Sequence, residues 1–208
     1  MLSQILFPVR CPYCSKVIDS SQPSCRDCRE LARPINYRKV LESGYMCVSA
    51  FQHEDVWRHS VLQYKFYGCR QFYIPFAKTM AELIKNELTD FSSYSVTSVP
   101  MHRKRKSERG FDQVELLGKE TARLLKIKYK QCLKQTVLSN HEQHSLTRSE
   151  RIDNVKGLYR CAKPKYVCGR KIILFDDITT TGSTLTECSA ILRKCGAEDV
   201  LCVTLTVS

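Results

Sequence analysis

The chain has 208 residues, 43% of them hydrophobic and 26% charged, the balance of a water-soluble α/β domain with room for a small appendage. No run approaches the ~20 apolar residues of a spanning helix, and the first ten residues lack the positive region of a signal peptide. The sequence therefore predicts a cytoplasmic protein with no membrane span. Its 33 basic and 21 acidic residues leave a net charge of +12, which favours a polyanionic partner: a phosphorylated metabolite, nucleic acid or an anionic membrane surface.

The chain opens on two CxxC turns, Cys11-Pro-Tyr-Cys14 and Cys25-Arg-Asp-Cys28, in a stretch too poor in large apolar residues to build its own core. In a reducing compartment cysteines serve as metal ligands or buried side chains before they serve as disulfides. Two thiolates from each turn complete a tetrahedral set, so Cys11, Cys14, Cys25 and Cys28 are candidate ligands of a structural zinc ion. A redox dithiol is the rival, but it needs neither the second motif nor this coreless context. We divide the chain into a four-cysteine zinc-finger module, residues 1–40, and an α/β domain, residues 45–208.

From residue 45 onward strands alternate with helices. Residues 47–51 read as a strand, 56–66 and 72–88 as helices, 95–100 as a short strand ending at a proline, and 111–126 as an amphipathic helix. Residues 133–165 show no clear period and are expected to be rich in loops. Residues 172–175 form an apolar run of the kind buried on both faces of a parallel sheet. A helix over 185–195, stopped by Gly196, and a last strand, 200–207, close the pattern. The prediction is a doubly wound parallel sheet with helices on both faces.

Two segments carry chemistry. In residues 172–184 a buried strand delivers Asp176 and Asp177 to a turn of small hydroxylated residues, Thr179, Thr180, Thr181, Gly182, Ser183 and Thr184, from which a helix departs. Backbone N–H groups and hydroxyls at a helix N-terminus cradle a phosphate. Two carboxylates would repel that phosphate, so they suit the neutral hydroxyls of a sugar or a bound cation. An ordinary strand–loop–helix with a capping threonine accounts for the threonines but not for the paired acids. Upstream, His102, Arg103, Lys104, Arg105 and Arg109 place cations where a pyrophosphate leaving group or a nucleic-acid backbone would be met.

Residues 172–184 resemble the PRPP signature of type I phosphoribosyltransferases, PRPP being 5-phosphoribosyl-1-pyrophosphate. With the paired CxxC turns, VPMHRKRKSERGFDQVELL and QHSLTRSERIDNVKGLY, the chain as a whole resembles the ComF family, phosphoribosyltransferase-like proteins linked to natural competence and DNA uptake. The resemblance implies a type I phosphoribosyltransferase-like sheet, with Asp176 and Asp177 on the ribose, residues 180–184 around the 5′ phosphate and Mg²⁺ bridging the pyrophosphate to the ribose. It assigns Arg105, Arg109, Gly110 and Phe111 to one family motif, and Gln143, Arg151 and Asn154 to another. Asp112 stands where the family usually has Asn, and Thr136, Leu138 and Asn140 stand where it usually has two arginines and a threonine. The run of cations after His102 is also denser than pyrophosphate requires. The departures near Thr136 bear on the transferase step rather than on PRPP binding. The implied functions are phosphoribosyl transfer to an acceptor, or single-stranded DNA binding on the same fold with PRPP as regulator. A helicase-like competence partner at the inner membrane face is a further implied contact.

Overall fold

The computed structural model describes residues 8–19, 21–22, 24–31, 33–67, 69–136 and 157–208. Helices are α1 (Arg26–Leu31), α2 (Asp55–Phe66), α3 (Tyr73–Glu87), α4 (Arg103–Arg109), α5 (Gln113–Leu125) and α6 (Ser183–Lys194). Strands are β1 (Tyr37–Val40), β2 (Met46–Gln52), β3 (Tyr94–Ser98), β4 (Lys128–Tyr129), β5 (Leu133–Gln135), β6 (Tyr159–Cys161), β7 (Lys171–Thr179) and β8 (Asp199–Val207). Six strands form one sheet in the order β1-β2-β8-β7-β3-β4, while β5 and β6 pair as a separate antiparallel ribbon. Every neighbour in the large sheet is parallel except β1 against β2, so the expected α/β sheet is present with one antiparallel edge added.

Alternation along β7 explains why helices cover both faces. Ile173 and Phe175 point into one apolar cluster with Met80 and Leu83 of α3 and Leu117 of α5. Ile172 and Leu174 point into a second cluster with Leu185, Cys188 and Leu192 of α6. A strand buried on both faces has no polar positions to alternate with, hence its continuous apolar run. Cys47, Cys188 and Cys202 are buried as small apolar side chains in the second cluster.

Three of the departures from the sequence expectation bear on the site and its brace. The basic segment is helical over Arg103–Arg109: the His102 ring accepts the Lys104 N–H at 3.1 Å, and Gly110 ends the turn at φ +76°. Charge density concealed that helix, since it buries no residue and has no apolar stripe. β7 runs on through both acids to Thr179, so Asp176 and Asp177 sit inside the strand rather than after it. β1 is short and alternates between exposed and half-buried residues, too weak a pattern to recognise before its pairing is seen.

β3 and β7 are neighbours, but the chain leaves them in opposite directions, β3 leading to β4 and β7 to β8. Where strand order diverges in this way the two exit loops separate, opening a crevice at the carboxyl ends of the strands. The loop after Ser98 and the loop after Thr179 flank that crevice.

Candidate functional site

Strand alternation sends the two acids to opposite faces. Asp177 is buried and meets α2 and α5. Its Oδ1 lies 2.8 Å from Lys65 Nζ, and its Oδ2 accepts a hydrogen bond from Gln113 Nε2 at 2.9 Å. Gln113 is itself held by Tyr64, whose hydroxyl donates to the Gln113 carbonyl at 2.7 Å. Asp176 is half-buried and faces the α6 side, within electrostatic reach of Cys188, Cys202 and Tyr159. Burial, reinforced by the charge of Asp177, pushes its carboxyl far above the usual range, to about 8, against the opposing pull of Lys65.

The loop after β7 is shaped by Gly182, whose φ of +83° suits glycine and whose backbone lies under Leu41; a Cβ there would stand 2.6 Å from Leu41 Cδ2. Lys39 Nζ of β1 donates to the Thr180 carbonyl at 2.9 Å, and Ser43 Oγ donates to Thr186 Oγ1 at 3.2 Å, so the β1–β2 hairpin braces the loop. Thr181 Oγ1 accepts the Ser183 N–H at 3.3 Å and touches Ser183 Oγ at 2.7 Å. Ser183 and Thr184 open the first turn of α6, where helix N–H groups lack intrahelical partners. Thr179 Oγ1 and Gln113 Oε1 are buried beside the acids without a hydrogen-bond partner.

The cations of the basic segment divide. The Arg109 guanidinium stacks over the Phe66 ring at 4.7 Å and lies within electrostatic reach of Asp177. Arg105 is within reach of Tyr159. His102 and Arg103 line a separate cleft of about 590 Å³ that begins at Pro100. Lys104 is exposed on α4. Gln143, Arg151, Asn154, Leu138 and Asn140 lie outside the described residues.

Reading the sequence missed Lys65 and Gln113. Lys65 follows Val61 by four residues, on the buried stripe of an amphipathic helix, and a lysine in such a stripe is the signal that identifies it. His53, at the end of β2, is half-buried with Nδ1 3.0 Å from Thr206 Oγ1; burial and then Lys65 and Arg58 lower its pKa.

The four cysteines of the CxxC turns converge, all Sγ atoms lying within 4.8 Å of one another. Four sulfurs bound at ~2.3 Å to one tetrahedral ion stand about 3.8 Å apart, so the cluster fits a four-thiolate metal centre. The Cys25 N–H donates to Cys11 Sγ and the Cys28 N–H to Cys25 Sγ, each at 3.4 Å, contacts that would support thiolate ligands around a metal ion. Burial drives the Cys11 thiol upward, but N–H donors from Cys25, Cys14 and Tyr13 outweigh it and bring it down to about 7. This loop is docked on α2: Tyr13 meets Trp57 edge-on at 5.0 Å, Ser60 Oγ donates to the Tyr13 carbonyl, and Ser15 Oγ lies 3.0 Å from His59 Nε2.

The fold and loop thus define an α/β protein with an acid pair beside a glycine-turned helix N-terminus, joined to a four-cysteine loop. No family model matches the chain. It is 31% identical over 198 residues to Competence protein F of Haemophilus influenzae, covering 91% of this chain and 81% of that one. It is 27% identical over 193 residues to Competence protein ComFC of Streptococcus pneumoniae, covering 91% and 77%. With DNA utilization protein YhgH of Escherichia coli K12 it shares 34% identity over 114 residues, 53% of this chain and 49% of that one. The chain belongs to the ComF family. Among solved structures it is similar to a glutamine PRPP amidotransferase from B. subtilis, with a TM-score of 0.43 and 16% identity over 64% of this chain and 26% of that one. Its TM-score to a purine phosphoribosyltransferase from Pyrococcus horikoshii is 0.33, with 12% identity over 69% and 85% of the two chains. Overlays this distant carry no argument about function. Among the described residues no helix is long and apolar enough to cross a membrane.

Proposed function

We propose that this protein binds PRPP at the end of β7 and acts in competence-linked DNA uptake, transferring the phosphoribosyl group to an acceptor. The observation that carries the reading is the placement of Asp176, a half-buried acid one short loop away from the Gly182 turn. The loop and the first turn of α6 would hold the 5′ phosphate, with Thr180 to Thr184 supplying hydroxyls and N–H groups. Asp176 would accept from ribose hydroxyls, while Asp177, both of whose oxygens are engaged, would hold Lys65 and Gln113 in place. Arg105 and Arg109 would face the departing pyrophosphate, where fixed positive charge lowers the barrier to bond cleavage. Mg²⁺ bound with PRPP would screen the pyrophosphate and make it a better leaving group. Zinc on Cys11, Cys14, Cys25 and Cys28 would be structural, since all four ligand positions are filled by the chain. The competence role is supported by the names of the relatives in Haemophilus influenzae and Streptococcus pneumoniae.

The test is thermal unfolding with and without PRPP and Mg²⁺, in wild type and in the Asp176→Ala/Asp177→Ala variant. At a hundredfold excess over Kd a ligand adds about 2.7 kcal/mol. A shift in wild type that the variant lacks supports the reading; no shift in wild type removes it.

One observation favours a second reading, single-stranded DNA binding. Phe66 and Tyr67 are exposed at the end of α2, with Arg109 stacked on Phe66. Exposed rings beside cations stack bases at about 1–3 kcal/mol each. Tyr64 and Phe72 are buried and take no part. Loss of salt-dependent oligonucleotide binding in Phe66→Ala/Tyr67→Ala, with PRPP stabilisation retained, would establish this surface as separate.

A further inference from the structure

The strand β6 packs on α6, and the two elements meet in step. Along the segment that enters β6, every second residue shares a face, so Gly157, Tyr159 and Cys161 recur at intervals of about 6.6–6.8 Å. Along α6 every fourth residue shares a stripe, so Glu187, Ile191 and Cys195 recur at intervals of about 6 Å. The two spacings nearly coincide. One end of the match is fixed by the Gly157 N–H, which donates to Glu187 Oε1 at 3.0 Å. In the middle Tyr159 and Ile191 pack on the same apolar cluster, and Cys161 and Cys195 join it at the far end. There the two cysteine side chains hydrogen-bond to each other.

Both thiols are held in place and within reach of solvent. Cys161 and Cys195 are half-buried, unlike the fully covered Cys47, Cys188 and Cys202. Their backbones are tied down: the Ala162 N–H donates to the Cys132 carbonyl at 2.7 Å, and the Cys195 N–H is shared between the Ile191 and Leu192 carbonyls, each at 3.1 Å. The ribbon register sets Leu133 opposite Cys161 and Lys134 opposite Arg160, so two cations stand one pair away from Cys161. Partial exposure among cations is the setting in which thiols react with oxidants. Burial and then the contact with Cys161 hold the Cys195 thiol above its usual pKa, against the pull of Lys194. Cys195 therefore suits the second, resolving position and Cys161 the first.

We propose that Cys161 and Cys195 form a reversible disulfide when the protein meets peroxide, a clip that fastens the ribbon to α6. The Cys161 thiolate attacks one oxygen of hydrogen peroxide, the O–O bond breaks, and the departing hydroxide takes up the thiol proton as water. The Cys195 sulfur then attacks the Cys161 sulfenic acid, the S–S bond forms, and hydroxide leaves with the Cys195 proton as a second water. Two thiols lose two electrons and one peroxide gains them. In a reducing compartment such a bond acts as a transient sensor rather than a permanent staple. It would close a ring of chain, residues 161–195, that contains β7, Asp176, Asp177 and the Gly182 turn. The clip does not depend on PRPP binding.

The test uses the full chain, reduced, freed of reductant and exposed to a small molar excess of hydrogen peroxide. Remaining thiols are blocked with iodoacetamide, and the protein is digested and mapped without reductant. Wild type should yield a peptide pair joined through Cys161 and Cys195, with Cys11, Cys14, Cys25 and Cys28 still reduced. Its melting temperature should rise by about 5 °C or more, and dithiothreitol should reverse both changes. Cys161→Ser and Cys195→Ser should each lose the joined peptides and the rise. Cys168→Ser should keep both, although Cys168 Sγ packs against Gly196 beside Cys195. Should either serine variant fail to fold, the wild-type map alone decides. Pairing of Cys161 or Cys195 with Cys132 or Cys168, oxidation of the CxxC cysteines first, or a joined pair with no rise in melting temperature overturns the proposal.

Discussion

Lys65 and Asp177 form a nearly buried ion pair at 2.8 Å, with side chains 15% and 8% exposed, on the face of β7 opposite Asp176. Adjacent acids in one strand thus do different work: one is neutralised inside the fold and the other is left toward the crevice. Removing one member of such a pair strands the other charge, at about 3–5 kcal/mol. Lys65→Met should lose stability of that order in urea unfolding, and Lys65→Met/Asp177→Asn should recover most of it. A single variant as stable as wild type would mean that the pair is loosely held.

Asp176 makes stability depend on pH in the direction opposite to an ordinary salt-bridged acid. Its folded pKa, about 8, is raised above the unfolded value of about 3.9. Between those values the folded chain holds the extra proton, so stability is greatest at the low end of the window and falls as pH rises toward 8. The charged groups within electrostatic reach of it are Asp177, Lys65 and Asp112. Asp176→Asn should flatten the decline between pH 5 and pH 8 by on the order of 1 kcal/mol or more, measured by urea unfolding at each pH. Parallel profiles for wild type and variant would contradict it.

Gly182→Ala tests the brace over the phosphate loop. The added Cβ meets Leu41 Cδ2 at 2.6 Å and the backbone stays at φ +83°, so strain and overpacking act together. A loss of about 2–4 kcal/mol is expected. Gly182→Ala/Leu41→Ala relieves the clash but not the φ strain, and should recover part of the stability.

Metal content is the simplest check on the cysteine loop. Purified protein should carry one zinc ion per chain by elemental analysis, with Zn–S distances of about 2.3 Å by X-ray absorption. Cys25→Ser should lose the metal. Because Tyr13 is packed on Trp57 and Phe76, a strong chelator should lower the melting temperature of the whole chain rather than release a separately folded tail.

Much of this was legible in the sequence where a residue pattern has one physical meaning. The apolar run before Asp176 had to be a doubly covered strand, and Gly182 among threonines had to be a turn into a helix. The two CxxC turns likewise had to converge, because each supplies only half of a tetrahedral ligand set. What escaped depends on tertiary neighbours. That Asp176 and Asp177 point apart follows only once β7 is known to continue through them. Lys65 acquires meaning from a strand more than a hundred residues later in the chain. The opposition of Lys134 and Arg160 requires a register joining segments on either side of a stretch without periodicity.

The docking of the cysteine loop on α2 carries one last consequence. That helix presents His59 and Ser60 to the loop and, about a turn and a half further on, Lys65 to Asp177. A single rigid rod thus spans the distance between a metal-scaled knuckle and a sugar-scaled pocket. Demetallation should therefore reach the acid pair as a change in the seating of the rod, with no atom of the pocket touching the ion.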